Sequence, residues 1–556
     1  MKKKNIKKIL ALAFCCVMLV PMLAACGDSN GGGGDTSSPP AGTPTSSGGG
    51  GNTGGTLVSA KDSVNMAITA DTQTLNPLYL NGWAAQQCIF QVYEPLWFID
   101  GSRRNIVPRL ATGYDMSPDG LVWTVYLREG VTFSNGEPFV ASDVLFSLHL
   151  ANNREGEPPW FVDMVEERNR VIDENTVEIH FSRFLISYEA SFGTIPIFSE
   201  ASYDPDTVSM TAIGTGPYTI TDYVINSHLI MTARDDYWGG KAPIQTLNYR
   251  FISEESQRVN AIEAGEVDVS DIPFAEIEHV ENLPNIDVRL VPRFQTRCVL
   301  LNNTNPDSPF YDNADARAAF LYAVNPEPIL RIVYNGYGEV SKAAYTLFAG
   351  DANESDFYYG LYSDDGYNPD RARELAISSG LAEWSQNNQL RLINNGAPDM
   401  VNTAELIQGM LEAVGVRVQI VSYDTGSWLT YRFDHTAYEL TVDFTGGTLA
   451  ASDLTLWWQY CGNNSDSSGN PDPAGLERLR ELTGGDRASG TVQAIGEEPN
   501  AANRVAGITE MNRLINDQYL FKNLVDMMNA MALHQDLSLT YLSGEWVDWT
   551  QSYWVR

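Results

Sequence analysis

Leu247-Asn-Tyr-Arg-Phe-Ile-Ser253, Glu254 to Ala264, Gly265-Glu266 and Val267-Asp-Val-Ser-Asp-Ile272 form the stretch on which the fold turns. The first segment reads as a strand. The second carries Val259, Ala261 and Ile262 on one side at helical spacing, and Gly265 supplies its stop. The last alternates with period two, as a half-buried strand does. A strand, helix and strand in so few residues imply parallel strands joined by a right-handed crossover.

A second unit of the same kind lies about 140 residues on, a spacing longer than one βαβ repeat needs. Leu390 to Ile393 reads as a strand. Ala404 to Val414 reads as a helix, with Ile407, Met410, Leu411 and Val414 on one face. Gly415 ends it, and Val416, Val418 and Ile420 alternate as a strand. Two such units imply two α/β lobes. Hairpin-like stretches such as Val122-Trp-Thr-Val-Tyr-Leu-Arg128, followed by Glu129-Gly130, add antiparallel parts.

The chain has 556 residues, 36 Lys+Arg against 70 Asp+Glu, and a net charge of −34. Nucleic acid and anionic membrane surfaces need a basic footprint, so neither is an expected partner. An apolar fraction of 43 % marks a chain that folds around a core. The first eight residues hold five Lys and no acid, and residues 9–22 are apolar apart from Pro21. That run is too short to span a bilayer and fits a secretory leader. Leu23-Ala24-Ala25-Cys26 resembles a bacterial lipobox, which implies cleavage before Cys26 and lipidation of its new N-terminus. Loss of residues 1–25 takes the net charge to −39. Such self-repulsion favours a monomer. Residues 27–56 contain 12 Gly, 5 Ser, 5 Thr and 3 Pro and cannot bury a core, so they read as a flexible leash. Cys88, Cys298 and Cys461 sit in or beside apolar stretches and read as buried thiols.

Catalytic and cofactor motifs are missing. There is no Cys-x-x-Cys, His-Glu-x-x-His or Gly-x-Ser-x-Gly, and the six His are scattered. Gly214-Thr-Gly216 lacks the third Gly of a dinucleotide fingerprint. No cofactor, no metal site and no catalytic residue is expected. Aromatic residues near turn-like segments stand out instead: Trp83, Trp428, Phe444, Trp457 and Trp458 neighbour Gly, Asp, Ser or Thr. Rings beside short polar groups suit a cleft that stacks on a solute, although Trp is more often core.

Tyr93-Glu-Pro-Leu96, Val107-Pro-Arg-Leu-Ala111 and the run Pro118-Asp-Gly through Gly136-Glu-Pro-Phe139 are followed by Ala141-Ser-Asp-Val144 and Phe146-Ser147. Gly214-Thr-Gly-Pro-Tyr218, Arg234-Asp-Asp-Tyr-Trp238, Glu263-Ala-Gly-Glu-Val-Asp268, Asp315 to Val324 and Tyr367-Asn-Pro to Leu375 come in order after them. This series resembles the extracellular solute-binding proteins of family 5, the oligopeptide/dipeptide/nickel-binding class of ABC importers. The resemblance implies an α/β, two-lobed periplasmic-binding-protein-like (type II) fold with an extra subdomain in the first lobe. By analogy lobe I is 57–97, 215–298 and 525–556, the subdomain 98–214, and lobe II 299–524.

The resemblance also implies a function: a lipid-anchored receptor on the outer face of the bacterial membrane. It would close on a peptide-like solute and deliver it to permease subunits. Trp83, Trp428 and Trp457 become candidate solute contacts. Phe444-Thr445-Gly446-Gly447 matches a Trp-x-x-Asp stretch whose Asp pairs with a peptide's ammonium. Here that position is Gly447, so Asp443 is the candidate substitute carboxylate, and an oligosaccharide or a solute-sensing role stays open. The ending Glu545-Trp-Val-Asp-Trp549 with Tyr553-Trp554 is expected to dock on lobe I.

Overall fold

The computed structural model describes residues 57–79, 83–99, 106–154, 163–185, 187–341, 366–432, 434, 436–445, 517–541 and 546–556, with isolated positions between 481 and 510. An eleven-stranded sheet organises it. In chain order its strands are β1 (Ser63–Ile68), β2 (Tyr218–Val224), β3 (His228–Ala233), β4 (Thr246–Phe251), β5 (Val269–Ile272) and β6 (Ile286–Leu301). Then come β7 (Glu339–Val340), β8 (Arg391–Asn394), β9 (Gln419–Ser422), β10 (Leu440–Thr445) and β11 (Phe521–His534). The spatial order is β9-β8-β10-β6-β11-β5-β1-β4-β3-β2, with β7 also on β11.

Both βαβ units are present. β4 and β5 run parallel to β1, which lies between them, and helix Glu255–Glu263 connects them. Gly265 takes a φ of +67° just past that helix, which a glycine adopts without strain. β8 and β9 pair in parallel, with Leu392 opposite Ile420, joined by helix Pro398–Ala413. That helix starts six residues before the apolar spacing suggested, because Pro398 with its fixed φ opens it. Strand Val122–Leu127 lies in a separate four-stranded antiparallel sheet. Its hairpin partner is Ala111–Met116, upstream across Ser117–Gly120, rather than the segment after Gly130.

Two large cores flank the middle of the long sheet. One gathers β1 to β4, the four-stranded sheet and the C-terminal Trp549 and Trp554. The other surrounds β8 to β10 and the helices against them. The aromatic C-terminus does dock on the first of these. Trp546 packs on Phe90 at 4.6 Å, and the Trp554 indole donates to the Ser63 carbonyl at 2.9 Å. Cys88 and Cys298 are buried and neither joins a disulfide; Cys26 and Cys461 lie outside the described residues.

The sequence blocks that carry the resemblance hold the fold together. Glu94 is buried and accepts from the Tyr237 hydroxyl at 2.7 Å and the Trp238 indole at 2.9 Å. Desolvation raises the Glu94 carboxyl above the ordinary carboxylate range, and Arg109 and these donors pull the other way. Arg234, buried, donates to the carbonyls of Thr132 and Phe133, each at 3.1 Å, and of Gly214 at 3.3 Å. Asp268 accepts from the Asn65 amide at 2.8 Å, and Asn368 caps the helix Pro369–Ser378. The Gly214-Thr-Gly216 pair is a steric device. Gly216 donates to the Val92 carbonyl at 2.8 Å, and a Cβ on Gly214 would stand 2.1 Å from that same oxygen.

Gly214→Ala is therefore expected to destabilise the chain by ~2–4 kcal/mol, since backbone must move to admit the methyl. Gly113→Ala, where nothing lies within 4 Å, should stay within ~0.5 kcal/mol of the parent. Urea unfolding of both variants checks this; equal stabilities would refute the close-approach reading.

Candidate functional site

β6 and β11 are long enough to belong to both halves of the molecule. Ile286 to Pro292 pairs with Met528 to His534 in the part of the sheet next to β5. Thr296 to Leu300 pairs with Phe521 to Asp526 in the part next to β10. The register breaks between Pro292 and Thr296 and again between Arg297 and Cys298. Residues 293–295 thus have no ladder partner, and the two halves of the ribbon can twist about them. They form a pivot between the two stretches of the ladder.

Buried polar groups gather on the second-lobe side of the pivot. Thr296 faces Thr445 on β10, and its hydroxyl donates to the Asp526 carboxylate on β11. Arg297, buried, donates to the Tyr334 hydroxyl at 3.0 Å, to the Asp443 carbonyl at 3.3 Å and to the Asp399 carboxylate. Next to it Arg432 and Asp443 form an ion pair with both side chains buried. Lys522, the second residue of β11, donates to the Leu321 and Val324 carbonyls at 2.5 and 2.6 Å, closing the end of helix Ala314–Ala323. Desolvation pushes that ammonium down to about 7.

The candidate residues divide. Phe444, next to last in β10, lies opposite Arg297 and is 38 % exposed, and Thr445 lies opposite Thr296. These two are brought to one place with Arg297 and Asp399. Trp428, by contrast, is 2 % exposed inside the second core, and its indole donates to the Thr441 hydroxyl at 3.3 Å. The structure gives it to packing. Asp443 is 1 % exposed and already holds Arg432; its Oδ1 accepts the Phe444 amide at 2.7 Å. Drawing it away to meet an ammonium would strand a buried guanidinium, which costs several kcal/mol. Trp83 begins the helix Trp83–Ile89, with its side chain outside the described residues, as are Gly446, Gly447 and Trp457 altogether.

Sequence reasoning missed Thr296, Arg297, Asp399 and Asp526. One signal was available: Arg297 directly precedes the apolar run Cys298 to Leu301, where a charge at the edge of a buried stretch must find a partner. Asp399 and Asp526 carried no such signal, since their partners lie far away in the chain.

Desolvation pushes the Asp526 carboxyl up to about 7; Thr296 and Ser341 act against it, and Glu339, directly opposite on β7, adds to it. The folded chain then keeps this proton between pH ~4 and 7 while the unfolded chain has released it. Stability contributed here is full below pH ~4, falls as pH rises through that interval, and is level above it. Asp526→Asn removes the titration. Relative to the parent it should gain ~1–3 kcal/mol between pH 5 and pH 8, measured by urea unfolding. A difference independent of pH would show that no shifted proton resides there.

The comparisons with known proteins agree with this geometry. The profile described as "Bacterial extracellular solute-binding proteins, family 5 Middle" matches residues 105–466. Heme-binding protein A of Haemophilus influenzae is 26 % identical over 403 residues, covering 66 % of this chain and 71 % of that one. The dipeptide-binding protein of Escherichia coli is 26 % identical over 407 residues, covering 67 % and 74 %. Among solved structures, the periplasmic binding protein DppA of Helicobacter pylori, in complex with the peptide STSA, superposes with a TM-score of 0.71 at 20 % identity over 89 % of this chain and 98 % of that one. NikA of Brucella suis in complex with Fe(III)-EDTA gives 0.75 at 19 % identity over 88 % and 99 %. With most of its length matched by that profile, and a ribbon joining two α/β halves as its fold, the chain belongs to family 5 of the bacterial extracellular solute-binding proteins, receptors of ABC importers rather than enzymes.

Proposed function

We propose that this chain captures a peptide-like solute between its two lobes, held at the outer face of the membrane by a lipid on Cys26, and hands it to an importer's permease. The β6–β11 ribbon is the observation that carries the mechanism. It is continuous through both halves yet broken in register around residues 293–298, so the lobes can rotate while the chain stays paired. Solute that touches both faces stabilises the closed arrangement, and only that difference shifts the population. Moving a mostly open protein to mostly closed takes ~5 kcal/mol of differential binding. A stacked ring such as Phe444 and a few hydrogen bonds are of that order.

Two relatives favour a peptide: the E. coli protein is named for dipeptides, and the H. pylori structure holds a tetrapeptide. The lobe assignments 57–97, 215–298 and 525–556 against 299–524, with 98–214 as subdomain, are the frame of this reading. Trp83, Phe444, Thr445, Gly446, Gly447 and Trp457 are its solute-facing candidates. Among the described residues no helix is long and apolar enough to cross a membrane.

Thermal unfolding with pooled tetrapeptides, pooled oligosaccharides and hemin tests the solute class. A rise in melting point with peptides alone is expected, by mass action on the folded state. A rise with sugars or hemin alone would overturn the peptide reading. Growth of an expressing bacterium with an alkynyl fatty acid should label the full chain, and Cys26→Ala should abolish the label. Persistent labelling of that variant would refute the anchor.

A further inference from the structure

β6 runs along one edge of β11 from Phe521 to His534, so β5 and β7 share the other edge. β5 takes Ala530 to Leu533, and β7 takes Val525 and Asp526. The interval between them, residues 527–529, lies beside the register break. Three aromatic rings come from the segments that flank it. Phe274 follows β5, in the single turn Phe274–Glu276. Tyr334 and Tyr337 lie between helix Pro326–Ile332 and β7. The Phe274 ring stacks on Tyr337, with centroids 5.7 Å apart and planes at 18°. It meets Tyr334 edge-on, at 6.1 Å and 72°. Both are arrangements that aromatic pairs prefer.

The rings are fastened on opposite sides of the break. Phe274 is carried by β5, whose ladder partners belong to the first-lobe part of the ribbon. Tyr334 is buried in the second large core, and its hydroxyl accepts from Arg297 at 3.0 Å. The Tyr337 amide donates to the Tyr334 carbonyl, and the Gly336 amide to the Leu330 carbonyl, each at 2.8 Å. Tyr337 therefore moves with that helix and with β7. The packing interleaves as well. Phe274 touches the second large core, and Tyr337 touches a third, smaller core around Val259, Ile262 and Ile277 of the first half. A twist about residues 293–295 moves β5 relative to β7, so it must slide or part these rings.

Resting on the two-lobe capture read above, we propose that Phe274, Tyr337 and Tyr334 form an aromatic latch across the pivot, and that solute must overcome it to rotate the lobes. The latch is made by protein groups alone, so it weights the balance toward the solute-free arrangement. A ligand shifts the lobes only by its preference for one arrangement over the other. Two ring pairs are worth roughly a tenfold change in that balance. Phe274 is thus a positioning residue, acting on capture through the angle between the lobes.

Double electron–electron resonance tests this. Spin labels are attached in Val224→Cys, on β2, and Ile377→Cys, on helix Pro369–Ser378, both exposed positions. Cys26 and Cys461 are replaced by Ser, and the buried Cys88 and Cys298 are left in place. Without solute, Phe274→Ala should broaden or shift the parent's distance distribution. Phe274→Tyr keeps the ring and should match the parent. Tyr337→Leu keeps bulk without the stack and should act as Phe274→Ala does. In a titration with random tetrapeptides, Phe274→Ala should need at least threefold less peptide than the parent to half-complete the change in distance. Superposable solute-free distributions of the parent, Phe274→Ala and Tyr337→Leu overturn the latch, even where the variants melt lower, because packing alone would lower the melting point without moving the lobes. A requirement for more peptide also overturns it. Tetrapeptides that move no distance in the parent overturn the peptide reading, while the solute-free distributions still decide the latch.

Discussion

The ladder between β6 and β11 is the constraint on which the rest depends. Each half of the molecule has its own core, and neither core closes without a segment of this ribbon at the edge of its sheet. Joining two α/β halves through paired strands fixes the direction in which they can move: sliding would break hydrogen bonds along the whole ladder. Twisting about residues 293–295, where no pairs exist, breaks none. The polar pairs beside this point, Thr296 with Asp526 and Arg297 with Asp399, tie the surrounding backbone together.

A second constraint is how the added antiparallel sheet is fastened. Arg234 reaches from the end of β3 to the carbonyls of Thr132, Phe133 and Gly214, and Glu94 gathers Tyr237 and Trp238. These contacts join segments from three parts of the chain into the core that also holds β1 and the C-terminal tryptophans. The motifs by which the family is recognisable are thus mostly buried hydrogen-bond commitments and close backbone approaches. They say which scaffold this is, and they touch little that a solute could reach.

Specificity follows a different logic. A strongly acidic chain offers carboxylates everywhere, and most stand in water where they discriminate little. The informative ones are removed from water. Asp443 is spent on Arg432, Asp526 takes the Thr296 hydroxyl across the ribbon, and Asp271 holds Arg258. Burial distinguishes the three, and composition could not.

Local patterning determined a good deal. The strand–helix–strand units around residues 247–272 and 390–420, with glycines ending both helices, followed from periodicity and from the backbone freedom of Gly265 and Gly415. The ordered blocks from Tyr93 to Leu375 were enough to name the family. Tertiary structure alone decided which rings and charges are available. Trp428 reads like a cleft aromatic in its local context yet lies in the core, where Thr441 on β10 takes its indole hydrogen bond. Thr296 and Asp526 meet although 230 residues separate them in the chain. Sequence spacing carries helix and strand period because those are set by neighbouring backbone bonds. Burial and ion pairing depend on segments that become neighbours only when the chain has folded.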